Sequence, residues 1–279
     1  MSADFRATIA LTRYREPDSL VSEVIRCGCQ QTGVTGEILF LDQQPGSRDF
    51  AVEHGNGNWT VLQVSCPDKG LSFARNLAIQ MARHDYVLFL DADALAEPQW
   101  AFGLCNALSE PLVAVAGGRI EPIWSGGEPL FARSRIVRDQ YSLLELGHAT
   151  MEVSRVFGAS MGIRRDVCSS EMYFDEGLGR REGRLVGGED TDLCARVARA
   201  GGHVVYVGSA VVRHVIPAER ERLAWMWKRL FYAGHGRAIR GGVPSPSRSP
   251  GMADWLLLPL TLPPYAAGWL WGRASRRST

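Results

Sequence analysis

Tyr86-Val87-Leu88-Phe89-Leu90-Asp91-Ala92-Asp93 is the stretch that decides how this chain is read. An apolar run ends abruptly in two carboxylates one residue apart. The run fits a strand buried on both faces. On extended backbone, residues two apart point to the same side. Asp91 and Asp93 are therefore expected to converge on one divalent cation where the strand meets solvent. Hard cations such as Mg²⁺ take oxygen ligands, commonly one or two carboxylates together with substrate phosphates. The plain alternative is a strand-terminating turn, with Asp93-Ala94-Leu95-Ala96-Glu97 opening a helix.

Working outward, residues 7–11, 37–41 and 59–64 read as strands, and a further strand spans 112–116. Pro17 sits where a helix begins and leads into residues 18–30. Residues 71–83 form a second helix with Phe73, Leu77 and Met81 spaced along one face, and 97–108 a third. Residues 43–58, rich in Gly, Asn and Gln, read as a loop. Strands alternating with helices of this length predict an α/β/α sandwich around a mainly parallel central sheet. Ligands of such sheets bind beyond the carboxyl ends of the strands. Thr12, Arg13, Tyr14, Arg15, Asp42, Asp68, Asp91 and Asp93 all follow predicted strands and are expected on that edge. No GxGxxG follows the first strand and no Walker loop occurs, so neither a dinucleotide fold nor a P-loop enzyme is favoured.

The second half is less regular. Residues 119–135 and 175–188 are rich in Gly, Pro and Arg and read as loops over the sheet edge. A helix is expected at 189–200, an extended segment at 203–212, and a long helix at 217–239. The chain divides into a domain over 1–240 and a segment over 241–279, which opens on a Pro/Ser/Gly linker. Trp255 to Gly272 is eighteen residues without a charge, close to the length of a membrane span. Pro259, Pro263 and Pro264 argue against one straight helix. Trp255, Trp269 and Trp271 lie near its ends as interfacial anchors would. The favoured reading is a segment lying in the membrane surface; packing on the core or on a partner is the alternative.

Net charge is +1, which argues against a nucleic-acid binder. The balance hides an asymmetry. From Arg213 onward eleven basic residues face three acids (Glu219, Glu221, Asp254), a net of +8 that leaves −7 on the preceding residues. A basic C-terminal third points to an anionic lipid or substrate. The six cysteines show no zinc spacing, and Asp4 and Arg6 interrupt any secretory h-region. Reduced cysteines, a cytoplasmic location and contact with the inner face of the cell membrane are expected.

Two further features join the acidic pair. Gly187-Gly188-Glu189-Asp190 places two acids at a helix start, where a general base can face a cleft. Carboxylates there also suit the helix dipole. His214 follows a strand of Val and Ala, as a third ligand beside two Asp would. The order Lys69-Gly70-Leu71-Ser72-Phe73-Ala74-Arg75-Asn76, Asp91-Ala92-Asp93, Gly188-Glu189-Asp190-Thr191-Asp192-Leu193, then His214 resembles the family 2 glycosyltransferases of the GT-A fold, from about Thr8 to Arg240.

The resemblance implies transfer of a sugar from a nucleotide diphosphate donor, a UDP-sugar by expectation, with inversion at the anomeric carbon and with Mg²⁺ or Mn²⁺. It implies that Asp93 holds the cation, Asp91 partners it toward the ribose and the metal, and His214 completes the set. Asp190 matches the general base, with Glu189 beside it toward the acceptor. Thr12, Arg13, Tyr14 and Arg15 occupy the first nucleotide loop. Asp42 matches an acid near the base, and Lys69, Arg75 and Asn76 stand beside the nucleotide. Departures fall in the first loop, in Gln43-Gln44 after Asp42, and at Asp68, where Asn is common. The acceptor, a glycan or a lipid-linked molecule, is expected to meet Gly158-Ala159-Ser160 and Arg164-Arg165, with Trp124 and residues 177–187 as a lid. A nucleotidyltransferase is the first rival, lowered by the absence of glycine from Thr12-Arg13-Tyr14-Arg15-Glu16. A non-catalytic nucleotide-sugar binding protein is the second.

Overall fold

The computed structural model describes residues 5–44, 58–67, 69–167, 173–179, 187–239 and 250–275. Asp68, most of the loop expected at 43–58, most of the lid expected at 177–187, and the linker after residue 240 lie outside the described residues.

Four parallel strands form one half of the sheet: β1 (Phe5–Arg13), β2 (Val34–Asp42), β3 (Trp59–Ser65) and β4 (Tyr86–Asp91), in the spatial order β3-β2-β1-β4. The apolar runs of β1, β2 and β4 are buried on both faces, as expected for strands covered by helices, while the edge strand β3 leaves Leu62 exposed. The turn Ala92-Asp93 then leads into β5 (Ala94–Ala96), a strand and not the helix start that Asp93 to Glu97 allowed. Beyond β4 the sheet becomes mixed. β6 (Val113–Trp124) runs well past the expected strand, β7 is Thr150–Glu152, and β8 (Ser160–Arg164) pairs antiparallel between β4 and β6. β9 (His203–Ile216) runs parallel to β6 and pairs antiparallel with β5 on its other side.

Helices cover both faces. On one, α1 (Asp18–Cys29) and α3 (Trp100–Leu108) bury Val21, Val24, Ile25, Trp100 and Leu104. α1 starts directly after Pro17, whose fixed φ suits a helix entry. On the other face lie α2 (Leu71–Met81), α4 (Arg135–Gln140), α5 (Glu189–Arg199) and α6 (Leu223–Ile239), contributing Ala74, Ala78, Val137, Leu193, Val197 and Leu230. In α2 the fully buried row is Ala74, Ala78 and Ile79, while Met81 is exposed. The small alanines let the helix sit close to the strands, and the bulkier Phe73 and Leu77 pack at its flank.

The expected break in the tail is absent. α7 (Met252–Ser275) is one helix with Pro259, Pro263 and Pro264 inside it. It is held at both ends. Near its start, Asp254 accepts hydrogen bonds from Ser134 Oγ at 2.6 Å, Gly251 N at 2.7 Å and Ile136 N at 3.1 Å. Farther along, α7 lies backbone against backbone on α6. A Cβ on Gly268 would stand 1.9 Å from the Phe231 carbonyl oxygen, and one on Gly234 would stand 2.1 Å from that of Tyr265. This packing offsets the loss of helix hydrogen bonds at the prolines. Among the described residues no helix is long and apolar enough to cross a membrane.

Candidate active site

The carboxyl ends of β1, β2 and β4 meet at one edge. Thr12 and Arg13 are buried there, and Arg13 reaches Asp42 Oδ2 at 3.5 Å, the Glu16 carbonyl at 2.9 Å and the Asp18 carboxylate. Asp42 is fully buried and also accepts from Gln44 N at 3.0 Å. Glu16 folds back to accept from the backbone N–H groups of Tyr14 and Arg15, and the Arg15 guanidinium lies over the Tyr14 ring. The first loop is thus braced internally, with Tyr14 and Arg15 on its outer side. Lys69 is exposed.

Arg75 is the hinge of the site. It projects from α2, is 2% exposed, and donates to Asp91 Oδ1 at 3.1 Å and Glu189 Oε1 at 3.2 Å. The Phe89 and Phe174 rings flank its guanidinium. Burial alone would lower its pKa, but the carboxylates of Asp91, Glu189 and Asp190 outweigh that and hold it above the usual value. Asn76 faces elsewhere: Nδ2 donates to the Phe174 carbonyl at 2.9 Å and Oδ1 accepts from Phe174 N at 2.8 Å. Arg75 and Asn76, expected beside the nucleotide, here hold acids and backbone in place.

Asp190 stands in the first turn of α5, which Gly188 opens with φ 110. That left-handed backbone suits glycine alone among ordinary choices. Asp190 accepts from Gly158 N at 3.2 Å and from Thr191 N at 2.7 Å. Gly158 has no room for a side chain, since a Cβ would lie 2.3 Å from Arg75 Nη2. Asp91, Glu189 and Asp190 share one cleft of about 170 Å³. It is also lined by Arg229, Ala233 and Arg237 of α6 and Tyr265 of α7.

Asp93 faces another way. Because Ala92-Asp93 form a turn, the strand alternation that would have aligned it with Asp91 stops at Asp91. The β5–β9 pairing sets Ala94 opposite His214. Asp93 Oδ1 then lies 3.1 Å from His214 Nε2, and Arg220 Nη1 lies 3.1 Å from Oδ2. His214 Nδ1 is 3.0 Å from the Tyr141 carbonyl. A carbonyl only accepts, so Nδ1 carries the hydrogen and Nε2 turns toward Asp93. With a second proton on the ring this contact is a direct ion pair, and a neutral ring fixed in this way by a carbonyl could share a cation with Asp93 instead. Among the described residues no group of three His, Cys, Asp or Glu side chains forms a complete ligand set. One carboxylate and one imidazole fit an ion that takes its remaining ligands from phosphates and water.

Arg220, Tyr141, Arg229, Arg237 and Tyr265 carry no motif in the sequence. Basic composition after residue 213 was the one signal pointing to the arginines. Trp124 packs edge-on against Tyr141 with ring centroids 5.2 Å apart, and Tyr141 stacks on Trp225. Ser160 lies in the core under Trp100, whose Nε1 donates to its hydroxyl at 2.8 Å. Arg164 and Arg165 bind the backbone carbonyls of Leu108 and Ile79.

The fold and this strand-edge cleft define a glycosyltransferase of the GT-A class. Residues 8–170, more than half of the chain, match the model of Glycosyl transferase family 2, and the chain belongs to that family. It is 26% identical over 241 residues to a glucosyl-dolichyl phosphate glucuronosyltransferase of Haloferax volcanii, covering 83% of this chain and 74% of that protein. It is 30% identical over 184 residues to the succinoglycan biosynthesis protein ExoM of Rhizobium meliloti, covering 64% of this chain and 56% of that one. The crystal structure of GalNAc-T7 with UDP, GalNAc and Mn²⁺ superposes with a TM-score of 0.61 at 15% identity, covering 98% of this chain and 57% of the other.

Proposed function

We propose that the chain transfers a sugar, with inversion, from a UDP-sugar to a hydroxyl of a glycan or lipid-linked acceptor. The observation that carries this reading is the convergence of Asp91, Glu189 and Asp190 on one cleft beside the Asp93–His214 pair. In this reading Thr12, Arg13, Tyr14, Arg15, Asp42 and Lys69 surround the nucleotide. Arg75 and Asn76 support that pocket by fixing Asp91 and the Phe174 backbone. Asp93 and His214 hold Mg²⁺ or Mn²⁺, with Asp91 between cation and ribose. The cation supplies charge that neutralises the departing nucleoside diphosphate.

Asp190 removes the proton of the acceptor hydroxyl as its oxygen attacks the anomeric carbon from the face opposite the leaving group. General-base help of this kind is worth about 10²–10⁴-fold. Glu189, held by Arg75, orients the acceptor. Residues 1–240 form the transferase domain. The segment 241–279 adds a helix whose outer face exposes Trp255, Leu256, Leu262, Leu270 and Trp271, suited to the inner face of the cell membrane. The names of the relatives support this reading: the Haloferax protein is a transferase for a dolichyl phosphate glycoside, and GalNAc-T7 was solved with UDP and Mn²⁺.

The test is thermal stabilisation by a panel of nucleoside diphosphates with and without Mn²⁺, since a ligand of the folded state raises Tm. Stabilisation by UDP only when Mn²⁺ is present supports the reading; indifference to every diphosphate under both conditions defeats it. Release of pyrophosphate during turnover would favour the nucleotidyltransferase instead.

A further inference from the structure

The cleft is lined by groups of both signs. Asp91 and Glu189 bind Arg75, Asp190 stands beside them, and Asp139 is paired with Arg155. From α6 the lining takes Arg229 and Arg237, with Ala233 between them. These three residues are spaced by four along α6, so they form one stripe. The two arginines are separated by about 12 Å along the axis, a span that their side chains can close from either end. The alanine leaves a notch at the middle, and Tyr265 of α7 borders the cleft beside it.

Arg229 is oriented toward the start of α5. Arg229 Nε donates to the Gln140 carbonyl at 3.3 Å, which fixes the side chain's direction. Its guanidinium reaches the backbone of Gly187, where a Cβ would stand 3.2 Å from Nη2. Gly187 lies three residues before Asp190. Arg229 and Arg237 add a cationic stripe to a cleft in which Asp91 and Glu189 are paired with Arg75, and Asp139 with Arg155.

We infer that Arg229 and Arg237 form an anion subsite for the acceptor, binding a phosphate or diphosphate group that the acceptor carries while its hydroxyl lies at Asp190. Guanidinium groups match phosphate oxygens with paired, charge-assisted hydrogen bonds. The inference rests on the assignment of Asp190 to the acceptor side under the proposed function. The group has two sources: the head of a lipid carrier, or a free phosphorylated acceptor.

The test is calorimetric titration of the full chain, in saturating UDP and Mn²⁺, with farnesyl diphosphate, farnesol and inorganic pyrophosphate. Farnesyl diphosphate is expected to bind and farnesol not to bind. Arg229→Gln and Arg237→Gln are each expected to weaken farnesyl diphosphate about tenfold or more. Arg229→Lys and Arg237→Lys, which keep the charge, should lose less. Ala233→Leu fills the notch with both arginines intact and should weaken the same probe. UDP–Mn²⁺ affinity, titrated separately, should stay within about twofold in all variants, which also reports that they are folded. Farnesyl diphosphate binding much tighter than pyrophosphate supports a lipid carrier; equal binding supports a free phosphorylated acceptor. The inference is overturned if neither phosphate probe binds, if both bind the Gln variants as tightly as the natural chain, or if the arginine changes abolish UDP binding instead. Failure of the natural chain to bind UDP–Mn²⁺ at all would strike the donor assignment, a separate result from loss of the phosphate probes.

Discussion

His214 Nε2 stands 3.1 Å from Asp93 Oδ1, and the Tyr141 carbonyl fixes the other ring nitrogen. If this pair holds the cation, His214→Ala and Asp93→Ala should each weaken Mn²⁺-dependent UDP binding by at least about tenfold. Metal-free UDP binding should change little. Titration of UDP against each variant, with Mn²⁺ and with EDTA, separates the two terms.

Asp190→Asn should behave differently. It keeps the shape of the side chain but removes its basicity. Turnover is expected to fall by about 10²–10⁴-fold with UDP–Mn²⁺ affinity unchanged. Unchanged turnover in this variant would refute the assignment of the base.

Arg75 is buried against Asp91 and Glu189, so its loss leaves the buried Glu189 carboxylate and the part-buried Asp91 without their partner. Arg75→Met is expected to destabilise the fold by about 3–5 kcal/mol. Arg75→Lys keeps a charge but not the two-pronged geometry and should fall between. Urea denaturation of the three proteins gives the order.

The seat of α7 on α6 depends on missing side chains. Gly268→Val places atoms where the Phe231 carbonyl stands, and overpacking of this kind costs about 1–3 kcal/mol. The variant should expose α7 to limited proteolysis and lower turnover together, because Tyr265 and α6 wall the cleft. Trp255→Ala with Trp271→Ala leaves that seat intact and should reduce flotation with anionic liposomes.

Asp254 makes the docking of α7 sensitive to acid. Burial would raise its pKa, but hydrogen bonds from Ser134 Oγ and the N–H groups of Gly251 and Ile136 overcome this and hold it below the usual range. A depressed folded-state pKa contributes stability that is complete above the unfolded value, about 3.9, and is lost as pH falls through the folded one. Tm measured from pH 6 downward should drop less steeply for Asp254→Asn than for the natural chain below about pH 4.

Much of this was legible because it is local. The apolar runs ending at Arg13, Asp42 and Asp91 carry their own burial signal, and Pro17 marks the start of α1. The short strands β5, β7 and β8 were not foreseen. Three to five residues give too little periodicity, and their conformation comes from the neighbours they pair with. The continuous α7 departs from the sequence expectation for a related reason: proline preference is local, whereas the glycine contacts that override it involve α6.

The amino-acid order alone determined an alternating α/β chain with acids at the strand ends, because side-chain periodicity and turn chemistry act over a few residues. Only tertiary structure decided which acids share a partner. A turn at Ala92-Asp93 parted Asp93 from Asp91, the pairing of β5 with β9 brought it to His214, and the packing of α6 and α7 brought arginines into the cleft that Asp190 lines. Each of those relations is made by contacts between segments far apart in the chain, which no local pattern encodes.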